Sequence, residues 1–410
     1  MQHLGIYLHN HINKEQLVKN IFTNQFLKNR FAANQQGLLF ASSVIEQIID
    51  EERKHDQFPI TTATNKSLES MSSGEQKKAL LQYLLQQKPA YIILDDWSGS
   101  LDILNIPILQ QLLTQAATQV IFIQLFYRKQ DLLPFIKEVL VIKNPQQQQY
   151  ITAAEFLNSH IAHNNFLIHQ LPQLFESTAL QCNPLLQLNN VSVSYNDRPI
   201  LTNINWTVRP GEFWQLKGPN GSGKTTLTGM IIGDNPKGYG QDLYLFGRKK
   251  GSGESVWDIK KNIGYCYPAM TLLFNRSEPV INMILSGLTD SIGLYETPTE
   301  AQELTAQAWL KILGPHYHNK RFNQLSAGEQ RIVMVVRALV KLPPLLILDE
   351  PTAGLDDENT DIFIQLINAI AALKKITIIY ISHRHEAQVQ PDKIIELIPS
   401  AQGSTAIIYE

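Results

Sequence analysis

Short apolar runs of strand length alternate along the chain with longer segments of helical periodicity. In the second half, residues 345–348 and 376–381 are continuous apolar runs, while residues 328–341 and 357–373 have apolar positions at helical spacing. Strands that are apolar throughout and are separated by helices are typical of a parallel sheet covered by helices on both faces. The pattern therefore predicts an α/β fold.

The same pattern occurs twice, with the copies 254 residues apart, as from Gly74 to Gly328. Three motifs share this offset: MSSGEQ at 71–76 with LSAGEQ at 325–330, YIILDD at 91–96 with LLILDE at 345–350, and Leu101-Asp102 with Leu355-Asp356. Agreement of three separate motifs at one offset favours a tandem duplication.

A chain of 410 residues also exceeds what one hydrophobic core usually serves. We therefore predict a domain at residues 1–150, a linker at 151–183 and a second domain at 184–410. The connecting region opens with four consecutive glutamines at 146–149 and contains the scattered residues His160, His163 and His169. Their spacing does not fit a metal centre, so they are interpreted as surface side chains.

A glycine-rich loop lies between a predicted strand at 213–217 and a predicted helix at 226–232. The residues of this loop that we assign to phosphate binding are Gly218, Asn220, Gly221, Ser222, Gly223, Lys224, Thr225 and the following Thr226. Strand, loop and helix in this order form the P-loop pattern, in which backbone N–H groups point at phosphate oxygens. We predict that Lys224 reaches the β- and γ-phosphates of ATP and that Thr225 ligates Mg²⁺.

Two acidic residues end the apolar run at 345–348. Asp349 would be costly at a buried strand end unless it met a cation, so we predict that it holds Mg²⁺ together with Thr225. The side chain of Glu350 is expected on the other side of the strand end, where it is a candidate general base or water-orienting group. A helix-capping role for Glu350 is the alternative.

On these motifs the chain resembles the superfamily of ATP-binding cassette (ABC) ATPases over nearly its full length. The resemblance implies a P-loop NTPase fold of two tandem cassettes, the first truncated. Residues 325–329, LSAGE, are similar to the signature loop of that superfamily, with Ser326 and Gly328 as nucleotide-binding residues, and residues 355–356 are similar to its D-loop. The resemblance also implies that His383 contacts the γ-phosphate as the switch histidine and that Tyr195 stacks on adenine.

Residues 238–261 are similar to a stretch of the ModF or PhrA subfamily, which consists of tandem ATP-binding proteins associated with molybdate transport. This resemblance implies a peripheral partnership with membrane permease subunits and leaves the transported substrate open. Within the stretch, the basic cluster at 248–250 precedes a Gly-Ser-Gly sequence and is interpreted as a solvated loop.

The first half departs from the family pattern. Only 73 residues precede Gly74, whereas the step from Lys224 to Gly328 is 104 residues, so we expect an incomplete nucleotide-binding core. Residues 8–15 form at best the relic of a phosphate loop between a strand and a helix. Asp96 stands where the second half has a glutamate, and Tyr127 where the alignment places the histidine.

The second half departs from the pattern at one place, because Cys266-Tyr267-Pro268 stands where the superfamily carries a glutamine that helps to hold Mg²⁺ and to couple to the permease.

ABC domains pair head to tail, so the resemblance implies that each ATP lies between one P-loop and the opposite signature loop. If the halves pair within one chain, the working site adds Ser72, Ser73 and Gly74 to the residues of the second half. We therefore expect one competent ATP site per chain, with the first half as its lid. A homodimer of second halves is the alternative.

Composition narrows the class of function. The net charge of −2 gives no electrostatic reason to expect nucleic-acid binding, and no apolar run is long enough for a membrane span. No export signal is recognisable, so the chain is expected in the cytoplasm or peripherally at the inner face of the cell membrane. The leading hypothesis is a transport ATPase. The alternatives are a tandem-cassette regulator such as a ribosome-associated translation factor, and a DNA-repair ATPase.

Overall fold

A computed structural model of the chain describes residues 2–23, 26, 36–55, 58, 60, 67–99, 101, 105–144, 147–159, 182–274, 277–383, 386 and 388–410. The three linker histidines and Asp102 lie outside these residues. The chain divides into two compact units: Met1–Ala162 with Gly354–Asp357, and His163–Ala353 with Glu358–Glu410.

The first unit is built on a six-stranded sheet. Its strands are β1 (Leu4–Leu8), β2 (Gly37–Phe40), β3 (Tyr91–Asp95), β4 (Ile121–Phe126), β5 (Glu138–Asn144) and β6 (Gln147–Thr152). Its helices are α1 (Lys14–Phe22), α2 (Ser42–His55), α3 (Ser73–Gln86), α4 (Asn105–Ala116) and α5 (Ala153–Asn158). The order of the strands is β2-β3-β4-β1-β5-β6, and only β6 is antiparallel to its neighbour.

Both faces of this sheet are buried. Ile92 and Leu94 of β3 belong to one apolar cluster, whereas Tyr91 and Ile93 belong to another. Successive side chains of a strand point to opposite faces, so helices must cover the sheet on both sides. This is why the strands are apolar throughout rather than alternating with polar residues.

The second unit contains two sheets. Its strands are β7 (Leu186–Tyr195), β8 (Arg198–Val208), β9 (Phe213–Lys217), β10 (Leu243–Leu245), β11 (Arg248–Lys249), β12 (Ile263–Cys266), β13 (Leu345–Asp349), β14 (Thr377–Ile381), β15 (Lys393–Ile398) and β16 (Thr405–Tyr409). Its helices are α6 (Lys224–Ile232), α7 (Val256–Lys260), α8 (Met270–Leu273), α9 (Val280–Leu285), α10 (Glu300–Leu313), α11 (Ala327–Leu339) and α12 (Asp357–Ala372), the last beginning at the end of the segment that belongs to the first unit.

The larger sheet of the second unit repeats the topology of the first. Its order is β12-β13-β14-β9-β15-β16, and again only the last strand is antiparallel to its neighbour. The predicted α/β duplication is therefore confirmed for the core sheets. The smaller, antiparallel sheet β11-β10-β7-β8 has no counterpart among the described residues of the first unit. In the part of the first unit that the structure describes, the core sheet is present and the antiparallel sheet is not.

The interpretation of residues 248–250 as a solvated loop is wrong for Lys250. Arg248 and Lys249 form an exposed edge strand, but Lys250 is only 3% exposed and its Nζ donates a hydrogen bond to the Met230 carbonyl, 2.7 Å away. Within the described residues, no helix is both long and apolar enough to span a membrane.

Candidate nucleotide-binding site

The predicted phosphate-binding residues of the second unit lie at the carboxyl ends of three adjacent parallel strands. β9 leads into the loop at Gly218, β13 ends at Asp349, and His383 follows β14. β14 pairs with both β13 and β9, so the three strand ends form one edge. Ligands of open α/β sheets bind at this edge, next to the following helix N-termini.

The loop between β9 and α6 has a backbone that only glycine tolerates well. The φ angles of Gly218, Gly221 and Gly223 are 151°, 76° and 93°. A Cβ atom on Gly223 would also lie 2.6 Å from a methyl carbon of Leu201. The backbone conformation and the packing therefore explain why glycine occupies these positions. Helix α6 begins directly after them, and the N–H groups of its first turn lack partners within the helix.

Lys224 is folded back over its own loop. Its Nζ donates to the carbonyl oxygens of Gly218, at 2.7 Å, and Pro219, at 3.0 Å. Thr225 is exposed, so its hydroxyl is accessible to a ligand. The side chain of Ser222 is buried, and the backbone N–H of Ser222 donates to the Pro219 carbonyl. The loop thus offers a cationic group and a free hydroxyl at its helix end.

The carboxylate of Asp349 is largely buried and has few partners that would stabilise its negative charge. Burial, followed by the charge of Glu350, raises the pKa of the Asp349 carboxyl, while the Tyr265 hydroxyl donates to it over a long 3.4 Å. A divalent cation would offset the cost of that buried charge. Asp349 and Thr225 therefore fit the predicted Mg²⁺ ligands in chemistry and in their position at one sheet edge.

Glu350 contacts His383, the predicted switch histidine. Its Oε1 accepts the His383 backbone N–H at 2.9 Å and lies 2.7 Å from His383 Nδ1. His383 Nε2 is buried and has no hydrogen-bond partner among the described residues. Helix α12 begins only at Asp357, so Glu350 contacts the histidine rather than a helix N-terminus.

Tyr195 ends β7 with its ring 40% exposed. Its hydroxyl accepts a hydrogen bond from Asn235 Nδ2 at 2.8 Å, and Lys237 Nζ lies 5.4 Å from the ring centroid. The tyrosine is therefore held by its hydroxyl end, while its ring is exposed enough to stack on a base.

The predicted signature residues begin helices in both units. Ser72 and Ser326 are N-caps of α3 and α11, and each forms a reciprocal capping box with the glutamate three residues later. Ser73 is the first residue of α3. The joint site of Ser72, Ser73 and Gly74 with Lys224 stays a prediction.

The signature glycines have a packing role as well. A Cβ atom on Gly328 would lie 2.3 Å from Asn359 Cγ, and one on Gly74 would lie 2.9 Å from Asn105 Cγ. The two asparagines are themselves 254 residues apart. Each glycine therefore permits the close approach of the helix that follows the acidic pair.

Sequence reasoning missed a pair of buried cations at the same offset. Lys77 of α3 donates through Nζ to the carbonyls of Asp96, at 2.9 Å, and Trp97, at 3.1 Å. Arg331 of α11 donates to the carbonyl of Pro351 at 3.2 Å. Each cation fastens a signature helix to the loop after the acidic pair, and the shared offset was the signal that could have found it.

The strand register identifies equivalent positions in the two units. Asp95 pairs with Leu125, as Asp349 pairs with Ile381, so the residue two positions later is Tyr127 in one unit and His383 in the other. The register thus agrees with the sequence alignment at the histidine position.

The same register aligns the two phosphate loops. Leu4 pairs with Ile123 and Trp214 pairs with Ile379, and a lysine follows ten positions later in each case, Lys14 or Lys224. Both lysines are the first residue of a helix. The relic at residues 8–15 is therefore a loop of unchanged length that has lost its glycines but kept its lysine.

Lys14 is engaged within the first unit. Its Nζ lies 2.9 and 3.0 Å from the two carboxylate oxygens of Asp95. Burial raises the pKa of Asp95 although the Lys14 charge opposes this. The lysine of the relic loop is therefore present and is paired with an internal carboxylate.

The relic loop also holds the segment Gly354–Asp357, which belongs to the first unit. The Asn10 backbone N–H donates to Asp356 Oδ2 at 2.8 Å, and the Asp356 N–H donates to Asn10 Oδ1 at 2.7 Å. The Tyr7 hydroxyl donates to Asp357 Oδ2 at 3.1 Å. The predicted D-loop residues are thus bound by the residues that replace a phosphate loop.

Comparison with known proteins places these features in a family. The model of the ABC transporter family matches residues 201–353. The ABC transporter ATP-binding protein ModF of Escherichia coli (strain K12) is 40% identical over 342 residues, which cover 80% of this chain and 70% of that protein. An uncharacterized ABC transporter ATP-binding protein of Schizosaccharomyces pombe, C323.04, is 33% identical over 305 residues, covering 71% of this chain and 60% of that protein.

Among solved structures, cbiO1 from Clostridium perfringens, part of the ABC transporter complex cbiONQ, is 24% identical with a TM-score of 0.47 and covers 54% of this chain and 86% of that one. The sequence match to ModF carries the assignment, because it extends over most of both chains. The chain belongs to the family of ABC transporter ATP-binding proteins.

Proposed function

We propose that the chain binds Mg-ATP in its second unit and hydrolyses it at one site per chain, as the ATP-binding component of a transport system. The observation that carries the proposal is the contact of Glu350 with His383 at the sheet edge that begins the glycine-rich loop. Phosphoryl transfer is catalysed mainly by positioning and by charge stabilisation, and this edge supplies both kinds of group.

Each residue of the edge has a proposed role. The glycine-rich loop and Lys224 hold the phosphates, Tyr195 stacks on the adenine, and Thr225 and Asp349 hold Mg²⁺, whose charge would stabilise the phosphate oxygens. Glu350 orients the attacking water, and His383 keeps Glu350 in place through Nδ1 while Nε2 is available to the γ-phosphate.

The Lys14–Asp95 pair supports one site per chain. In the first unit a bidentate internal ion pair occupies the lysine and the carboxylate that a second nucleotide and its metal would need. Breaking the pair would leave a largely buried Asp95 without its cation, which is costly. We infer that the first half binds no Mg-ATP of its own and serves as the lid, offering Ser72, Ser73 and Gly74 to the nucleotide.

The partner is proposed to be a membrane permease at the inner face of the cell membrane. Two relatives match about half of this chain: a zinc uptake protein, ZurA of Listeria innocua, and a xylose import protein, XylG of Histophilus somni. Each is 35% identical. Because these relatives are named for different cargoes, the sequence of the cassette does not identify the cargo. Molybdate, which the ModF or PhrA resemblance implies, is the first cargo to test.

The experiment on hydrolysis compares Glu350→Gln with Asp96→Asn. Removing the water-orienting carboxylate should lower turnover by about 100-fold or more while Mg-ATP affinity persists. Asp96→Asn makes the same change at the equivalent position of the first unit and should leave turnover near wild type. Equal loss in both variants, or full activity of Glu350→Gln, would refute the assignment.

The lid assignment is tested with Ser72→Arg and Ser326→Arg. An arginine at the signature loop that covers the nucleotide should stop turnover, so we expect Ser72→Arg to be inactive and Ser326→Arg to be active. The thermal midpoint of each variant checks its folding. If only Ser326→Arg stops turnover, a homodimer of second halves replaces the lid arrangement.

The partner is identified by what copurifies with Glu350→Gln in the presence of ATP, because this variant should accumulate the ATP-bound form. Recovery of permease subunits would support transport. Recovery of ribosomes would instead support the alternative of a translation factor.

A further inference from the structure

A cavity of about 340 Å³ lies in the second unit, in the stretch that carries the subfamily resemblance but takes no part in the proposed hydrolysis. The residues that line it are Leu245, Phe246, Arg248, Lys250, Glu254, Asp258, Ile259, Lys261 and Asn262. This size is at the lower end of the range of small-molecule sites, which combine an apolar lining with a few polar groups.

The apolar wall of the cavity includes a strained residue. Leu245 and Ile259 are buried, and Phe246 is a residue of the turn that joins β10 to β11 and packs against the same core. Phe246 has a φ of 50° and Gly247 a φ of 77°. A positive φ is rare for an aromatic residue, and such strain is retained mainly at functional sites. The aromatic side chain is therefore kept where glycine or asparagine would form the turn at lower cost.

The acids of the cavity are already hydrogen-bonded. Glu254 accepts the backbone N–H groups of Gly251, at 2.6 Å, and Ser252, at 3.0 Å. Asp258 accepts the N–H and the hydroxyl of Ser255 through Oδ2. Both carboxylates thus stabilise their own loop and helix end.

The charges of two rim cations, Lys261 and Arg248, already act on the Asp258 carboxylate. Lys261 Nζ lies 3.8 Å from the other oxygen of Asp258, and Arg248 is an exposed residue of the edge strand β11. With Lys250, the lining carries three cationic and two anionic side chains, so the cavity has a net positive charge. An anion would find a guanidinium and an ammonium group beside an apolar wall.

The cavity is connected to the phosphate-binding helix. The Nζ of its lining residue Lys250 donates to the carbonyl of Met230, near the end of the helix that Lys224 begins. A Cβ atom on Gly233, the cap of that helix, would lie 3.3 Å from Val256 and 3.6 Å from Ile259 of α7. Two walls of the cavity therefore contact the far end of α6.

We propose that this cavity binds an amphiphilic anion, a small molecule with a flat apolar body and one carboxylate, sulfonate or phosphate group, and that its occupancy is linked to nucleotide binding. The apolar body packs on Phe246 and Ile259, and the acidic group pairs with Arg248 and Lys261. The linkage rests on the proposed function, whereas the binding of the anion does not.

The binding test uses the full chain and 8-anilinonaphthalene-1-sulfonate, whose fluorescence rises in an apolar site. We expect saturable binding of one probe per folded chain, weakened about tenfold or more in Arg248→Ala through loss of a charge-assisted hydrogen bond. Lys249→Ala is the matched control, because Lys249 does not line the cavity and lies 3.6 Å from Asp242. Equal affinity in the two variants would overturn the proposal.

Competitors define the ligand class. 2-Naphthoate should displace the probe, whereas the uncharged 2-naphthol and inorganic sulfate should not, since the site needs both an apolar body and a negative charge. Displacement by sulfate alone would reduce the site to a simple anion site and contradict the proposal.

Phe246→Gly separates a binding role from a structural one. Glycine accepts the positive φ, which offsets part of the packing that Phe246 loses against the core of the second unit, so the thermal midpoint should fall only slightly while probe affinity falls clearly. A large drop in the thermal midpoint would mean that Phe246 serves the fold, against the proposal.

Linkage is measured in Glu350→Gln, where ATP is bound without turnover. The probe should change the affinity for Mg-ATP by the same factor by which Mg-ATP changes the affinity for the probe. Failure of ATP binding would refute the proposed function and leave the anion site standing. Failure of probe binding would refute the anion site alone.

Discussion

One methylene distinguishes Asp96 from Glu350, and the two residues share a backbone conformation, with φ angles of 50° and 46°. Their neighbours differ. Glu350 is bound to His383, whereas Tyr127 occupies the histidine position in the first unit. The difference in proposed activity therefore lies in the side chains that surround an unchanged backbone turn.

The signature glycines make a prediction at this scale. Gly328→Ala should lower the free energy of unfolding by about 1–3 kcal/mol, because the new methyl group would overlap Asn359. The effect of Gly74→Ala should be smaller, since the distance to Asn105 is longer. Denaturant unfolding measures both.

The double variant Gly328→Ala with Asn359→Ala serves as the control, because it removes the overlapping side chain and should recover part of the loss. If the single variant is as stable as the wild type, the packing explanation of this glycine fails.

Among the elements, the signature helices are fastened to the loops after β3 and β13 by buried cations. Lys77 is 3% exposed and is surrounded by backbone carbonyls, including that of Gly99. In α11 the equivalent residue, Arg331, makes the corresponding bond to Pro351. A cation at this position lets a helix and a loop share buried polar groups that would otherwise be unpaired.

Lys77→Met should destabilise the chain by about 2–3 kcal/mol, because several buried carbonyls lose their donor. Lys78→Met is the matched control, as Lys78 is only half-buried and makes none of these bonds to the loop. Lys77→Arg, which introduces the residue type of the second unit, should be close to wild type. Thermal unfolding that does not separate Lys77→Met from Lys78→Met would contradict the role.

At the scale of the whole molecule, one sheet topology occurs twice, and the elements around the two sheets differ. The second unit has an antiparallel sheet and a glycine-rich loop, while the described first unit has neither and instead holds the segment Gly354–Asp357 through Tyr7 and Asn10. The two units thus share a sheet topology, and the loop after β1 binds a peptide segment at the position where the second unit has its glycine-rich loop.

This segment predicts a pH dependence. Burial is the main cause that raises the pKa of Asp357 from 3.8 to about 6, despite the hydrogen bonds from Lys129 and Tyr7. The folded state thus binds the proton more tightly than the unfolded state. The stabilising contribution of protonated Asp357 is complete below pH 3.8 and is lost as the pH rises through about 6.

Asp357→Asn has no such loss, so its stability relative to wild type should increase between about pH 4 and pH 6.5, by on the order of 2–3 kcal/mol, and then level off. Urea unfolding at several pH values measures the difference. Asp50→Asn, the same change at an exposed carboxylate, is the control. A flat difference for Asp357→Asn would contradict the raised pKa.

Much of the fold and of the candidate site could be predicted from the sequence. The α/β class, the duplication, the family and the positions of the glycine-rich loop and the acidic pair depend on contiguous residues or on a fixed offset. The strand that begins the loop has the predicted bounds, Phe213–Lys217. The predicted residues of the ATP site remain predictions about binding, although Glu350 and His383 are in contact.

The sequence by itself determined the elements and their chemistry, because hydrophobic periodicity, glycine backbone freedom and motif spacing are local properties of the chain. Only the tertiary structure decided which polar groups are paired: Lys14 with Asp95, Asn10 with Asp356, and the buried Lys250 with the carbonyl of Met230. These partners are far apart in sequence, and their contact follows from the order of strands in a sheet. That order is fixed by the packing of the whole unit, which no local pattern encodes.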